Sequence, residues 1–410
     1  MHIITDKMVF GGKSLGKIDG KNVFVPYSIP GEKIEIEITE QNKDYDNAEI
    51  VKILEPSEHR VEPACRYYGK CGGCNMMHID SAFQKELRSQ MLSDIFHQNG
   101  IDISGKTEII SGPDFNYRAR FQLNNGGLSQ RRSNIVIPVE ECICAEEPVN
   151  NYLRETAENT EKRPKGRCHL FGSSFCDGKF KITEEENRVP DSKRIHGMKA
   201  EKAEKAKKLK LKENKYFSGT LASPENTMTV TLDGHKLSFD VRGFFQSNLF
   251  VFEKVCKLIT ELLPGGKNIL DMYAGCGSIS SFLTEKYENV VLVEHNRDAL
   301  VYAEQNMAGK KHVSYGLSGA NFIKNCVSAL PQFDACTIDP PRSGMEKEVR
   351  QWLAQSKIPL IISLSCDPAT HARDCAALIS AGYSMKKMYL LDFYPNTSHI
   401  ESLSVLTLNQ

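Results

Sequence analysis

The sequence predicts a modular α/β protein: a small all-β unit, a β-rich middle, and a C-terminal unit built on a parallel sheet. Three observations predict it. Short β-branched runs broken by Gly, Pro and Asn/Asp turn signals fill residues 1–54. Strand-like runs return within residues 55–240, a stretch that also carries closely spaced cysteines. From residue 241 to 410, apolar runs alternate with helical segments.

In the first unit, VFVPYSI, KIEIEIT and AEIVKIL are the strand-like runs, and their number and size fit a small barrel of the OB type. In the middle unit, SAFQKELRSQMLSDIFHQ (81–98) places Phe83, Leu87, Met91, Ile95 and Phe96 near helical spacing, which predicts an amphipathic helix. Residues 107–140 read as strands again. KAEKAEKAKKLKLKENK (199–215) is a Lys/Glu-rich stretch, read as a solvated helix or insertion, with a basic arm that grazes RNA as the alternative.

In the last unit, 248–263 reads as a helix. The runs NIL (268–270), VVLV (290–293), ACTI (335–338) and PLIISLS (359–365) follow, with helical segments between them, which is the pattern of a parallel sheet with crossover helices. MYLLDFY and SLSVLTL are separated only by PNTSHIE, too short for a crossover helix, so these two strands should pair antiparallel.

The chain has 410 residues, with 52 Lys+Arg against 52 Asp+Glu and a formal net charge of zero, so any nucleic-acid contact must come from local basic patches. No apolar run reaches the roughly 18 residues of a membrane span. The N-terminus lacks the apolar stretch and small-residue cleavage site of a secretory signal, so a cytoplasmic monomer is expected. Thirteen cysteines in such a setting are not read as disulfides.

In open α/β sheets, ligands bind at the carboxyl ends of the strands. Four of the apolar runs end on Asp271, Glu294, Asp339 and Cys366, which would line four functional groups along one crevice. LDMYAGCGSIS holds Gly275-Cys276-Gly277 between a strand and a helix, where glycines permit a tight turn and close approach to a ligand. Glu294 follows about 20 residues later, the spacing of an acid that binds ribose hydroxyls. The loop has no lysine and no third glycine, which disfavours a triphosphate or a dinucleotide. A nucleoside without phosphates fits better, and S-adenosylmethionine is one.

FFQSN (244–248), DMYAGCGS (271–278), VEH (293–295), DPPRSG (339–344), SCDPATHARD (365–374) and HIES (399–402) together resemble the class I, Rossmann-like S-adenosylmethionine methyltransferases. Within that class the resemblance is to the RNA 5-methyluridine methyltransferases that act on 23S rRNA and tRNA, and it covers nearly the whole chain. The resemblance implies cofactor contacts by Gln246, Tyr273, Glu294 and Asp339. GKSLGKIDGKNVFVPYSIPGE is similar to the TRAM domain, a small RNA-binding barrel.

Carbon 5 of uracil is a poor nucleophile. Covalent catalysis solves this: a thiolate adds to carbon 6, carbon 5 takes the methyl, a base removes the carbon 5 proton and the thiol leaves. Cys366 ends the strand after the one carrying Asp339, so it should face the same crevice. Read alone it could equally be a buried packing residue. The resemblance makes it the nucleophile, in SCDP where the family has SCNP. A carboxylate at Asp367 would disfavour the thiolate. Glu401 in HIES is the candidate base, a role the resemblance implies. His399 is its rival, having a pKa nearer neutrality. In DPPRSG, Arg342 stands where adenine-amine methyltransferases usually place a stacking aromatic, and the motif lacks the cysteine of the 5-methylcytidine enzymes.

Cys65, Cys71 and Cys74 form C-x5-C-x2-C, a spacing that can hold a metal or a cluster, with zinc as the main rival to iron–sulfur. The resemblance implies a [4Fe–4S] cluster with a distant fourth ligand, Cys142 or Cys144. The family's placement of that cysteine after a short β run favours Cys142. Residues 117–132 interleave Tyr117 and Phe121 with Arg118 and Arg120, a pattern that suits unpaired RNA and equally suits a half-exposed strand. The function expected is methylation of a uridine at carbon 5, with 23S rRNA favoured as the substrate and tRNA as the other candidate. The alternatives are a tRNA methylthiolating protein, which also joins a TRAM domain to a cluster, and an RNA-binding module without activity.

Overall fold

A computed structural model describes residues 1–131, 133–157, 162–184 and 224–409. The charged stretch 199–215 lies outside the described residues.

Strands β1 (His2–Val9), β2 (Lys13–Ile18), β3 (Lys21–Pro26), β4 (Lys33–Gln41) and β5 (Tyr45–Glu55) close into a barrel in the order β1-β2-β3-β5-β4. Alternation along the strands puts Ile3, Val23, Val25, Ile34, Ile36 and Ala48 inside. Closure leaves no unpaired strand edge.

Helix α1 (Ser81–Gln98) has the bounds that its apolar spacing predicts. Asp80 caps it, accepting from the Phe83 N–H at 2.9 Å. Its face of Leu87, Met91, Leu92 and Phe96 shares one core with Leu378, Leu390 and Leu406 of the C-terminal unit. The next strand, β6 (Thr107–Ile110), pairs in parallel with a C-terminal strand rather than with its sequence neighbours.

Strand β7 (Arg120–Asn124) is followed by a small ladder of β8 (Leu128–Ser129) and β9 (Val136–Ile137), then by helix α2 (Glu147–Glu155). β10 (Arg167–Gly172) and β11 (Phe180–Glu184) join β7 in an antiparallel sheet of order β11-β10-β7. The hairpin β12 (Thr227–Leu232) and β13 (His235–Asp240) sets Val230, Leu237 and Phe239 against the core of the C-terminal unit.

Helix α3 (Leu249–Leu262) is capped by Asn248. Then β14 (Gly266–Met272), α4 (Ser278–Leu283), β15 (Tyr287–Val293), α5 (Arg297–Asn306), β16 (His312–Tyr315), α6 (Gly319–Asn325), β17 (Ala335–Ile338), α7 (Lys347–Ser356), β18 (Leu360–Ser365) and α8 (Pro368–Ser380) alternate. The last two strands are β19 (Tyr383–Leu391) and β20 (Glu401–Leu408). The sheet order is β16-β15-β14-β17-β18-β20-β19-β6. β14 to β18 run parallel, and β20 is antiparallel to both β18 and β19, as the short connection between the last two runs predicts. The chain winds outward from β14 to β16, then returns to place β17 on the other side of β14. That reversal opens a crevice at the carboxyl ends of β14, β15 and β17. Among the described residues, no helix is long and apolar enough to cross a membrane.

Candidate active site

The turn after β14 is built for close approach. Tyr273, Gly275 and Gly277 all have positive φ (63°, 56° and 73°), a region that is costly for tyrosine, so the surrounding structure must hold that residue there. A Cβ on Gly277 would stand 3.1 Å from the Ala303 Cβ, so this glycine lets α5 pack against the turn. The Glu294 carboxylate accepts from the Gly275 N–H at 2.9 Å and the Asn296 N–H at 2.6 Å. Oε2 retains a lone pair, while Oε1 also lies 3.1 Å from His295 Nδ1.

Beside this turn lies a cavity of about 320 Å³ lined by Tyr273, His295, Ser318, Pro341, Met345 and Glu346. Gln246 is 9% exposed, and its Oε1 is buried with no protein partner. A buried acceptor left unpaired is costly, so it fits a ligand that brings a donor, such as the amine of an amino-acid-bearing nucleoside. An acid held beside a glycine turn, a cavity of nucleoside size and an orphaned amide oxygen together suit S-adenosylmethionine.

Asp271 departs from the expectation that four strand ends serve the crevice. It is 1% exposed, and its carboxylate accepts from the Ser280 hydroxyl and, at 2.8 Å, from the Thr337 hydroxyl. Asp271 therefore ties β14 to α4 and β17, with burial holding its pKa up to about 6.

Asp339 and Cys366 do meet, and Glu401 joins them, whereas Glu294 stays with the glycine turn after β14. Asp339 follows β17, Cys366 follows the adjacent β18, and Glu401 opens β20, the next strand. Ser365 pairs with Ser402, so Cys366 and Glu401 stand at the same end of the ladder. Burial, then the charges of Glu401 and Asp339, push the Cys366 thiol up to about 11, while the Arg342 cation pulls the other way. Burial and Asp339 raise Glu401 to about 8, again opposed by Arg342. Asp339 is raised to about 7 by burial and the Asp271 charge. Two carboxyls and a thiol thus share one poorly solvated spot, and Arg342 is the cation that acts on both the thiol and Glu401. Such a site is short of positive charge, and a cationic ligand would favour the ionised forms of all three.

Asp367 has a different role from the one expected of it. Its side chain accepts from the Thr370 N–H at 2.9 Å and caps α8, so the acids acting on the thiol are Glu401 and Asp339. His399 stands exposed two residues before Glu401, and partial desolvation together with the Arg342 and Arg118 cations lowers its pKa. Sequence reasoning treated Arg342 only as a mark of what the DPPRSG motif is not. Its position in the same turn as Asp339 was the available signal for its electrostatic role. Phe244 also went unnoticed: it is 73% exposed two residues from Gln246, while Phe245 is buried against Phe239.

The aromatics of 117–132 are not free to stack on bases. Tyr117 and Phe121 are 1% and 3% exposed. The Arg118 guanidinium lies 4.8 Å over the Phe121 ring, and Arg120 Nη2 donates to the Gly243 carbonyl at 2.7 Å. The half-exposed strand is the reading that holds here.

None of the thirteen cysteines, all within the described residues, is in a disulfide. Five of them, Cys65, Cys71, Cys74, Cys142 and Cys144, line one cavity of about 420 Å³ between the 65–74 loop and the 142–144 turn. Cys142 lies within electrostatic reach of Cys65, Cys71 and Cys74, whereas Cys144 reaches Cys74 and Cys142. Cys144 is 2% exposed and packs with Met77 and Tyr117. Among the described residues, no three His, Cys, Asp or Glu side chains converge as ligands of a single metal ion.

The chain is similar to known proteins over its whole length. Residues 3–51 match the TRAM domain, and residues 323–409 match the tRNA (uracil-5-)-methyltransferase family. An uncharacterized RNA methyltransferase of Treponema denticola is 35% identical over 99% of this chain and 98% of its own length. The 23S rRNA (uracil(1939)-C(5))-methyltransferase RlmD of Shewanella amazonensis is 28% identical over 97% of this chain and 93% of its own length. Among solved structures, the Pyrococcus abyssi tRNA (uracil-54, C5)-methyltransferase in complex with S-adenosyl-L-homocysteine shares the fold with a TM-score of 0.73. It is 21% identical and covers 99% of this chain and all of its own.

Proposed function

From the premise that the chain belongs to the S-adenosylmethionine-dependent RNA uracil-5-methyltransferases and carries a TRAM domain, we propose that it methylates carbon 5 of one uridine in 23S rRNA through a covalent adduct on Cys366. The observation that carries this reading is that Cys366, Glu401 and Asp339 stand at the ends of adjacent strands, with Arg342 in the loop after Asp339 acting on the first two. Full-length similarity to relatives named as 23S rRNA methyltransferases supports that RNA over tRNA.

Tyr273, Glu294, Gln246 and Asp339 are the residues that would hold the cofactor, with Gln246 Oε1 gaining the partner it lacks. The bound cofactor supplies an electrophilic methyl group on a positively charged sulfur. Cys366 gives up its proton to solvent water, and the thiolate Sγ then adds to carbon 6 of the uracil, pushing the C5–C6 π pair to carbon 5 and O4. Once carbon 5 carries the methyl, Glu401 takes its proton. The C5–H electron pair re-forms the C5–C6 double bond and the C6–Sγ pair returns to sulfur, freeing the thiolate. Arg342 steadies the carboxylate that must be ionised for this step.

A [4Fe–4S] cluster would be held by Cys65, Cys71, Cys74 and Cys142 and would tie the 65–74 loop to the 142–144 turn. Five cysteines around one cavity of about 420 Å³ supply more thiols than the four such a cluster needs. The reaction above has no radical step, so the reading as a methylthiolating enzyme is set aside.

The experiment is to offer purified protein, with cofactor carrying a labelled methyl group, unmodified 23S rRNA and unmodified tRNA. Labelled 5-methyluridine at a single 23S position is expected. Label in tRNA alone would overturn the substrate assignment, and label on a base other than uracil would overturn the reaction.

A further inference from the structure

We infer that Asn75 is a positioning residue for Glu401, acting through the 395–399 loop that immediately precedes that acid. The inference rests on the reading of Glu401 as the base. The loop is not held by regular structure: Asn396 sits at φ +66°, and the segment lies between β19 and β20. Its order comes from polar contacts with segments far away in sequence.

Asn75 makes the largest share of them. Its N–H donates to the Asn396 carbonyl at 3.2 Å, and that of Met76 donates to the same oxygen at 3.0 Å. Its side chain is paired with Ser398 in both directions: Oδ1 accepts from the Ser398 N–H at 2.9 Å, and Nδ2 donates to the Ser398 hydroxyl at 2.9 Å. Nδ2 also donates to the Gly11 carbonyl in the β1–β2 turn of the barrel at 3.2 Å. A Cβ on the neighbouring Gly12 would fall 2.6 Å from Asn75 Nδ2 and 2.8 Å from the Ser398 Cβ, so barrel, cysteine loop and base loop meet at van der Waals contact. One side chain, next in sequence to Cys74, thus joins the barrel to the backbone three residues before Glu401.

An amide is suited to this. It donates and accepts at once, and no other uncharged side chain but glutamine does so with a planar two-point grip. Tyr117, whose hydroxyl donates to the Pro395 carbonyl at 2.9 Å, and Gln84, which accepts from the Asn396 N–H at 2.9 Å, fix the near end of the loop. Asn75 fixes the end nearer Glu401.

The test separates adduct formation, which does not need the base, from adduct resolution, which does. In single-turnover assays, Asn75→Ala should be trapped by 5-fluorouridine RNA at the wild-type rate, with an unchanged KM for RNA. On uridine RNA its adduct should resolve tenfold or more slowly and accumulate. Asn75→Asp, which keeps the Oδ1 acceptor, should recover part of the rate. Should Asn75→Ala fold poorly, Ser398→Ala removes one half of the pairing and should show the same split, about threefold. Parallel loss of trapping and resolution would make the residue merely structural, and wild-type resolution would remove its role; either overturns the inference. Glu401→Gln is run beside it. If that variant accumulates adduct and Asn75→Ala does not, only this inference falls; if Glu401→Gln resolves normally, the base assignment falls and takes this inference with it.

Discussion

Cys366 and Glu401 face each other across the end of an antiparallel strand pair, because Ser365 on β18 is in register with Ser402 on β20. The ionised acid therefore makes the thiol harder to ionise before any substrate arrives.

The first prediction concerns the thiol. With its pKa up at about 11, Cys366 is a thiolate in roughly one molecule in ten thousand at pH 7. Alkylation by iodoacetamide should be slow at neutral pH and rise with pH. Glu401→Gln removes a neighbour that is charged above its own pKa of about 8, so the apparent pKa of Cys366 should fall and its alkylation should quicken at about pH 9–10, where that acid is ionised in the wild type. Peptide mass spectrometry that reads Cys366 apart from the other cysteines checks this. An unchanged or higher apparent pKa in Glu401→Gln would mean that the two groups do not share a site.

The pH dependence of turnover follows from the acid. Glu401 is raised to about 8, and a base must be ionised to take a proton, so the base-competent fraction grows as pH rises and is lost as pH falls below 8. At pH 6 about one hundredth of the free protein should be competent, by the ordinary titration relation. kcat/KM measured from pH 6 to 9 should climb through that range. A profile flat or falling between pH 6 and 8 would contradict the ionisation assigned to the acid.

Gln246 separates cofactor binding from stability. Since its Oε1 has no protein partner, Gln246→Leu should unfold at nearly the wild-type temperature. A lost hydrogen bond to a charged group costs about 1.5–3 kcal/mol. Affinity for S-adenosylhomocysteine by calorimetry should accordingly fall roughly ten- to a hundredfold. Unchanged affinity would place the cofactor elsewhere.

Much of this site was legible in the sequence. The runs NIL, VVLV, ACTI and LIISLS all lie in parallel strands, and Asp339 and Cys366 follow two of them as their apolar runs predict. α1 keeps the bounds given by its apolar spacing. What was not legible depends on long-range pairing and depth. Nothing local in TEII (107–110) says that it will lie parallel to residues 388–391 at the sheet edge. Periodicity could not distinguish Phe244, which stands in solvent, from Phe245, which is buried. Tyr117 and Phe121 resembled a stacking surface because residue type does not report which face of a strand is covered. Asp271 resembled a crevice acid because a strand-end position does not reveal that Ser280 and Thr337 will take up its carboxylate.

The cysteines yield a discriminating pair of variants. Anaerobically purified protein should be brown and carry iron and sulfide near four each, the stoichiometry of the proposed cluster. Cys142→Ser should lose most of that iron, because Cys142 is the thiol that reaches all three cysteines of the 65–74 loop. Cys144→Ser should retain it. Colourless protein with stoichiometric zinc would contradict the cluster, and iron lost in Cys144→Ser but kept in Cys142→Ser would exchange the fourth ligand.

The central claim is that Cys366 bonds to carbon 6 and Glu401 takes the proton from carbon 5, and covalent trapping tests it most directly. RNA carrying 5-fluorouridine at the target should stall the protein as a stable adduct, because fluorine cannot leave as a proton does. Digestion and mass spectrometry should find a methylated nucleotide attached to the peptide containing Cys366, and Cys366→Ala should give no adduct and no methylation. On ordinary uridine RNA, Glu401→Gln should accumulate the same adduct, with turnover reduced about 10²–10⁴-fold, as the loss of a general base predicts. An adduct on any other cysteine, or normal turnover by Glu401→Gln with accumulation in His399→Ala instead, would contradict the account.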